Sequence, residues 1–267
     1  MSDLQLPPTL TATRDGDIAI LRLSRAAKRN ALDDETVMGM RRFFMAIPQG
    51  VGAVVLHGEG DHFSAGLDLG EVVAQVPGTV DVHRGVLHSQ MWHKAFHEIQ
   101  FGTVPVIAVL HGAVVGGGLE LAAATHVRVA ERSAYYGLPE GQRGIFLGGG
   151  GSVRLPRLIG VHRVQYMMLT GRTLSAEEGH AAGISQVLVE NGEGLAKGIE
   201  LARKVAGNAA MSNYAIIHAL PRIAESDPAS GFFTESLMAA IAETTPEAQQ
   251  RVRDFLEKRA AKTTPQS

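Results

Sequence analysis

His111-Gly-Ala-Val-Val-Gly-Gly-Gly-Leu-Glu120 is the stretch on which both fold and chemistry turn. It follows Val106 to Leu110, an unbroken apolar run that reads as a buried strand. His111-Gly112 breaks the strand, and Gly117 to Ala124 reads as a short helix. A buried strand thus delivers the chain to a glycine turn, where a helix begins. The first N–H groups of that helix have no intrahelical acceptor, and they point at whatever lies in front of them. Phe63-Ser-Ala-Gly-Leu-Asp68 repeats the logic, with a turn able to present the N–H of Leu67. Two such donors converging on one point make an oxyanion hole. Glycines at these positions equally permit tight turns and close packing with no ligand.

Outward from this centre the chain alternates strand, glycine turn and helix. Asp17 to Leu23 alternates in part like a half-buried strand. Asp33-Asp34 is a helix start, followed at helical spacing by Val37, Met40, Phe43, Phe44 and Ile47, with Pro48 and Gly50 as the stop. Ala53 to Leu56 and Val127 to Ala130 read as short buried strands, and Val80 to Phe101 as a helix. Beyond about residue 200 the pattern becomes helical: Leu195 to Val205, Ser212 to Leu220, Phe232 to Ala242 and Glu247 to Ala260. The expected organisation is an α/β core over 1–200 and a helical region over 201–267, ending in a loose Thr-Thr-Pro-Gln-Ser.

Composition narrows the function. Of 267 residues, 45% are hydrophobic and 19% charged, a balance suited to a packed core and too apolar for a disordered chain. Lys and Arg number 25 against 27 Asp and Glu, which argues against nucleic acid as the main partner. There is no cysteine, so disulfides, thiolate zinc sites and thiol nucleophiles are excluded. The N-terminus lacks a basic segment followed by an apolar run, and the longest apolar stretch is interrupted by Pro105, His111 and glycines. A soluble cytoplasmic protein with no membrane association is the expectation.

Two carboxylates stand beside these turns. Glu120 follows the helix start by about one turn, which returns it to the face near the glycines. Glu140 lies in Leu138-Pro-Glu140 after a strand-like stretch. Paired carboxylates can divide acid and base roles when their environments separate their pKa values. A solvated surface position is the ordinary alternative for each.

Several segments together resemble the crotonase (enoyl-CoA hydratase/isomerase) superfamily. They are Leu23-Ser-Arg-Ala-Ala-Lys-Arg-Asn-Ala-Leu32, Phe63 to Leu69, His111 to Leu121, Pro139-Glu140, Leu155-Pro-Arg-Leu-Ile-Gly160, Thr170 to Gly183, and the tail Phe255-Leu-Glu-Lys258. They run in the family's order across residues 15 to 260. The resemblance implies a spiral of ββα turns with a C-terminal helical trimerisation region, assembled as a homotrimer or dimer of trimers. It implies an acyl-CoA thioester substrate, with no metal or redox cofactor required, coenzyme A being part of the substrate. It places the two oxyanion N–H groups on Leu67 and Gly117, and the catalytic pair on Glu120 and Glu140. The CoA contacts fall near Lys28, Ala65, Asp68 and Leu69, with Phe255 and Lys258 reaching the CoA of a neighbouring subunit. The activity implied is hydration of a 2-enoyl-CoA to a 3-hydroxyacyl-CoA in fatty acid β-oxidation. Glu120 activates the water that attacks C3, and Glu140 protonates C2. The alternatives are another reaction of the superfamily (isomerisation, thioester hydrolysis or C–C cleavage) or a non-catalytic acyl-CoA-binding protein.

The chain departs from the family pattern at Ala26, where proline is frequent, at Gly148-Gly149, where Pro-Gly is frequent, and over Val72 to Ser89, a region that shapes the acyl pocket. Within that last segment His83 and His88 are candidates to reach the pocket. Other signals weigh less. Gly148 to Gly151 lacks the Lys-Ser/Thr ending of a phosphate loop and reads as a packing or CoA-adjacent turn. His93 and His97 share a helix face, but Phe101 stands where a zinc-protease motif needs its second histidine. Ser64 lacks the Gly-x-Ser-x-Gly context of a nucleophile.

Overall fold

The computed structural model describes residues 5–70, 81–257 and 259. By internal contacts the chain falls into two compact units, Met1–Ala206 and Gly207–Ser267. The first contains two sheets. The larger is six-stranded, ordered β1 (Leu10–Asp15), β2 (Ile18–Leu23), β3 (Ala53–Gly58), β4 (Val106–Leu110), β6 (Val127–Glu131) and β9 (Val187–Val189). β1 and β2 form an antiparallel hairpin, and every later pairing in this sheet is parallel. The smaller sheet joins β5 (Ala113–Val115), β7 (Tyr135–Gly137) and β8 (Leu174–Ser175).

The chain alternates between the sheets as it advances. After β3 it reaches the smaller sheet through a parallel bridge from Ser64 to Val114. β4 leads directly to β5, and β6 to β7. Each turn therefore adds one strand to each layer, and these are the turns of the expected spiral. Hydrophobic alternation fixes which face each residue takes. Val54 and Leu56 of β3 join a large core with Phe43, Trp92, Phe96, Leu119 and Tyr136. Ala53 and Val55 point to the other face and pack with Val109, Val129 and Ala202.

Helices start where capping residues sit. α1 (Asp34–Met45) begins after Asp33, whose carboxylate accepts from Thr36 N. α2 (Val82–Gln100) is capped by Asp81 accepting from His83 N, and Val80, where the sequence places the helix start, lies outside the described residues. α3 (Gly117–Ala123) follows β5 with no side-chain cap, so its leading N–H groups stay open. α4 (Gly151–Ile159), α5 (Val161–Thr170), α6 (Ala176–Ala182) and α7 (Gly194–Ala206) complete the unit. α6 opens with a reciprocal capping box between Ser175 and Glu178. α7 covers the outer face of the large sheet, and Gly198 lets it approach closely: a Cβ there would sit 2.6 Å from Val109.

The second unit holds α8 (Ala210–Glu225), α9 (Pro228–Glu243) and α10 (Pro246–Leu256). α8 runs past Leu220, where the sequence pattern stops, and carries Pro221 inside it. α9 and α10 each open on proline behind a capping Asp227 or Thr245. α10 ends at Leu256 rather than Ala260, and Lys258, Ala260 and the terminal Thr-Thr-Pro-Gln-Ser lie outside the described residues. No helix among the described residues is long and apolar enough to cross a membrane.

Candidate active site

The two glycine turns interlock. A Cβ on Gly66, whose φ is +87°, would lie 2.5 Å from the Val115 carbonyl oxygen and 2.9 Å from Gly117 N. One on Gly118 would lie 2.4 Å from the Ser64 carbonyl oxygen. Backbone meets backbone here, which residues with side chains cannot do. The contact brings Leu67 N within 3.3 Å of the Cβ position of Gly117. Neither Leu67 N–H nor Gly117 N–H has an acceptor among the described residues. Both residues line one cavity of about 170 Å³, which also takes in Glu120, Glu140, Trp92 and His88.

Glu120 is buried, and its carboxylate is cradled. Oε1 accepts from Gly149 N at 2.9 Å and from Gly151 N at 2.8 Å, leaving Oε2 for the cavity. The glycine run after residue 147 is thus neither a phosphate loop nor mere packing. It is the strap that holds this carboxylate, and a Cβ on Gly151 would fall 2.5 Å from Glu120 Cγ. Behind the strap Arg154 donates to Gly149 O at 3.1 Å and to Gln100 Oε1 at 2.7 Å. Burial raises the Glu120 pKa above its usual range, while the two N–H bonds and the Arg154 charge act against that rise.

Glu140 meets different surroundings. It follows β7 and sits at the start of a single 3-10 turn, Gly141–Arg143, with its Oε1 2.7 Å from where a Cβ on Gly116 would be. Its Oε2 is buried with no hydrogen-bond partner. Burial, reinforced by the nearby Glu120 charge, pushes its pKa up to about 7. The site therefore holds one carboxylate whose anion is hydrogen-bonded against its burial and one poised near neutral pH to carry or release a proton.

The remaining candidates divide. Ala65 and Leu69 line the cavity. Lys28 Nζ lies 3.0 Å from Asp68 Oδ2, and Arg25 reaches the same oxygen at 2.9 Å and Asp33 at 3.0 Å. Burial acts to raise the Asp68 pKa, but Lys28 and Arg25 outweigh it and hold the carboxyl below its usual range. Phe255 is exposed on α10, and Lys258 lies outside the described residues. His88 lines the cavity, whereas His83 does not. Among the described residues no group of three or more His, Asp or Glu could hold a metal ion.

Sequence reasoning did not find the strap, Arg154, or the aromatic wall formed by α2. Trp92 Cζ3 lies 3.0 Å from the Cβ position of Gly117, and Phe96 Cε2 lies 3.0 Å from that of Gly149. The rings meet edge to face at 5.6 Å. The available signal was the i, i+4 spacing of Trp92 and Phe96 facing two glycine clusters.

Known proteins resemble this chain over nearly its whole length. Residues 13–265 match the family model described as enoyl-CoA hydratase/isomerase. An enoyl-CoA hydratase of Mycobacterium tuberculosis is 28% identical over 262 residues, covering 97% of this chain and 98% of that protein. A fatty acid oxidation complex subunit alpha of Shewanella frigidimarina is 38% identical over 155 residues, and this chain spans only 21% of its length. A solved structure from Rhodopseudomonas palustris, assigned as an enoyl-CoA hydratase, superposes with a TM-score of 0.90 at 52% identity, covering 95% of this chain and 97% of that one. With the interlocked turns, the spiral and a match over nearly its whole length, the chain belongs to the enoyl-CoA hydratase/isomerase family.

Proposed function

We propose that the protein is an enoyl-CoA hydratase that adds water across the 2,3 double bond of a 2-enoyl-CoA. The observation that carries this is the meeting of two free backbone N–H groups and two differently supported carboxylates in one cavity. The thioester oxygen accepts from Leu67 N–H and Gly117 N–H, so negative charge can build on it as water attacks C3. By analogy with measured oxyanion holes, one such donor contributes ~3–4 kcal/mol to the transition state. Glu120 takes the proton from water, and Glu140 delivers a proton to C2. The strap favours the anionic form of Glu120, and the unpartnered Oε2 favours a protonated Glu140, which matches these roles. Isomerisation needs one proton carrier, and the presence of both carboxylates in the cavity favours hydration.

The CoA portion is assigned to Lys28, Ala65, Asp68 and Leu69, with Phe255 and Lys258 serving a neighbouring subunit. No separate cofactor enters the reaction. Exposed Phe232, Phe233 and Leu237 on α9 support assembly through the C-terminal helices into a homotrimer or dimer of trimers, in the cytoplasm. The test uses purified protein and a panel of 2-enoyl-CoAs, following loss of the conjugated absorbance and product mass. A product heavier by one water is expected. If Glu120→Gln and Glu140→Gln each turned over at the wild-type rate, the assignment would fail.

A further inference from the structure

His88 is held in a way the hydration chemistry does not require. It lies on α2, one turn before Trp92, and its Nε2 is 2.7 Å from Asp34 Oδ1 at the start of α1. Trp92 Nε1 shares the same oxygen at 3.4 Å. One carboxylate thus fixes two rings, and the second of them packs over the oxyanion turn at Gly117. With Asp34 accepting from Nε2–H, the imidazole presents Nδ1 elsewhere, and that atom has no partner among the described residues. His88 is part of the cavity lining, as is Ser89, whose Oγ lies 3.1 Å from the Cβ position of Gly148. Arg143 also lines the cavity, where its charge acts on Glu140.

These groups share their cavity with Leu69, Trp92, Ile145 and Phe146. A hydrocarbon chain would suit those four, but it would offer no hydrogen bond to the polar side chains of His88 and Ser89 in the same lining. A site built to hydrogen-bond a substrate rejects the analogue that lacks the group, because its own polar atoms are left unpaired. The Asp34 clamp removes the rotamer freedom His88 would otherwise lose on binding, so the imidazole is preorganised.

We propose that His88, oriented by Asp34, is a specificity-determining residue that reads an oxygen on the acyl chain beyond the double bond. The preferred substrates are then hydroxylated or carboxylated enoyl-CoAs rather than plain alkyl ones; this rests on the hydratase reading above. A neutral imidazole accepts from a hydroxyl. A protonated one, with Arg143, donates to a carboxylate.

The test compares kcat/KM for length-matched 2-enoyl-CoAs ending in methyl, hydroxymethyl or carboxylate, across short and medium chains. About tenfold or greater preference for one oxygenated series is expected, and which series wins identifies the group read. His88→Leu should abolish that preference, lowering kcat/KM for the oxygenated series far more than for the alkyl one. Asp34→Asn, which keeps the imidazole but weakens its clamp, should give an intermediate loss. Alkyl preference at every length, or an equal effect of His88→Leu on both series, overturns the inference while leaving hydration intact. If no enoyl-CoA is hydrated, the hydratase reading fails separately. Binding of saturated oxygenated and plain acyl-CoAs to wild type and His88→Leu then decides the matter. A His88-dependent preference upholds the inference, and equal affinities overturn it.

Discussion

Glu120 and Glu140 line the same cavity and burial raises both, but the strap N–H groups and Arg154 oppose the rise at Glu120 while the Glu120 charge adds to it at Glu140, and this difference sets the pH dependence. As base, Glu120 must be ionised, so kcat/KM rises with pH through its pKa. As acid, Glu140 must be protonated, so kcat/KM falls as pH passes about 7. A bell is expected, its two limbs being apparent values of the coupled pair. Arg154 favours the ionised Glu120 through its charge. Arg154→Met should therefore move the acid limb to higher pH, narrowing the bell, and Arg154→Lys should restore most of it. An unmoved acid limb in the Met variant would remove Arg154 from this role. The same burial has a cost in stability. Glu140 binds its proton more tightly when folded, about 7 against an ordinary 4.5, so the folded state holds more protons between those values. Stability thus falls as pH rises through that window. The full shift would correspond to ~3 kcal/mol, and partial solvent access reduces this to about 1–2 kcal/mol. Glu140→Gln lacks the penalty. It should melt a few °C above wild type near pH 8, and that advantage should vanish near pH 4.5.

At the scale of elements, the site depends on backbone passing where side chains cannot fit. The strap from Gly148 to Gly151 presents two N–H groups to Glu120 because Gly149 and Gly151 leave room for the carboxylate. Gly151→Ala would place a methyl 2.5 Å from Glu120 Cγ, forcing either strap or carboxylate to move. Misplacement of about 1 Å can cost on the order of 10²-fold in rate. We expect kcat to fall by at least tenfold with substrate binding changed much less, measured by steady-state kinetics alongside circular dichroism. An unaltered kcat would mean that the cradle does not set the geometry of Glu120. The sequence made the local parts of this site legible. Val106 to Leu110 followed by His111-Gly112 announced a strand and its break, and Gly117 a helix start, because those signals depend on neighbours in the chain. Asp33 marked the start of α1 for the same reason. The strap was visible as a run of glycines, but what it holds lies about thirty residues away, and no local pattern encodes that pairing. The clamp between Asp34 and His88 spans a wider gap, 54 residues, and its donor falls in a stretch without a familiar motif. β5, β7 and β8 are three residues or fewer, too short for alternation to declare them, although they form the sheet that fixes the glycine turns.

For the molecule as a whole, the two units carry different burdens. Met1–Ala206 contains both core clusters and every cavity-lining residue of the site. Gly207–Ser267 buries little of its own apolar surface: Phe232 is 68% exposed and Phe233 67%, and Leu220, Leu237 and Ile241 are exposed as well. Aromatic residues this open on one helix need a covering surface, and the proposed assembly through these helices supplies one. Light scattering on the 28.4 kDa chain should then give a mass at three or six times the monomer. Phe232→Ser combined with Phe233→Ser should shift that mass toward the monomer. A monomeric wild type, or a double variant with unchanged mass, would remove α9 from the interface. The same variant separates assembly from chemistry. Glu120, Glu140, Leu67 and Gly117 all belong to the first unit, whereas the proposed contribution of Phe255 and Lys258 to CoA comes from a neighbouring subunit. Dissociation should therefore raise KM for the CoA ester more than it lowers kcat. An equal loss in both would instead mean that association stabilises the site as a whole and that the tail makes no contact with the nucleotide.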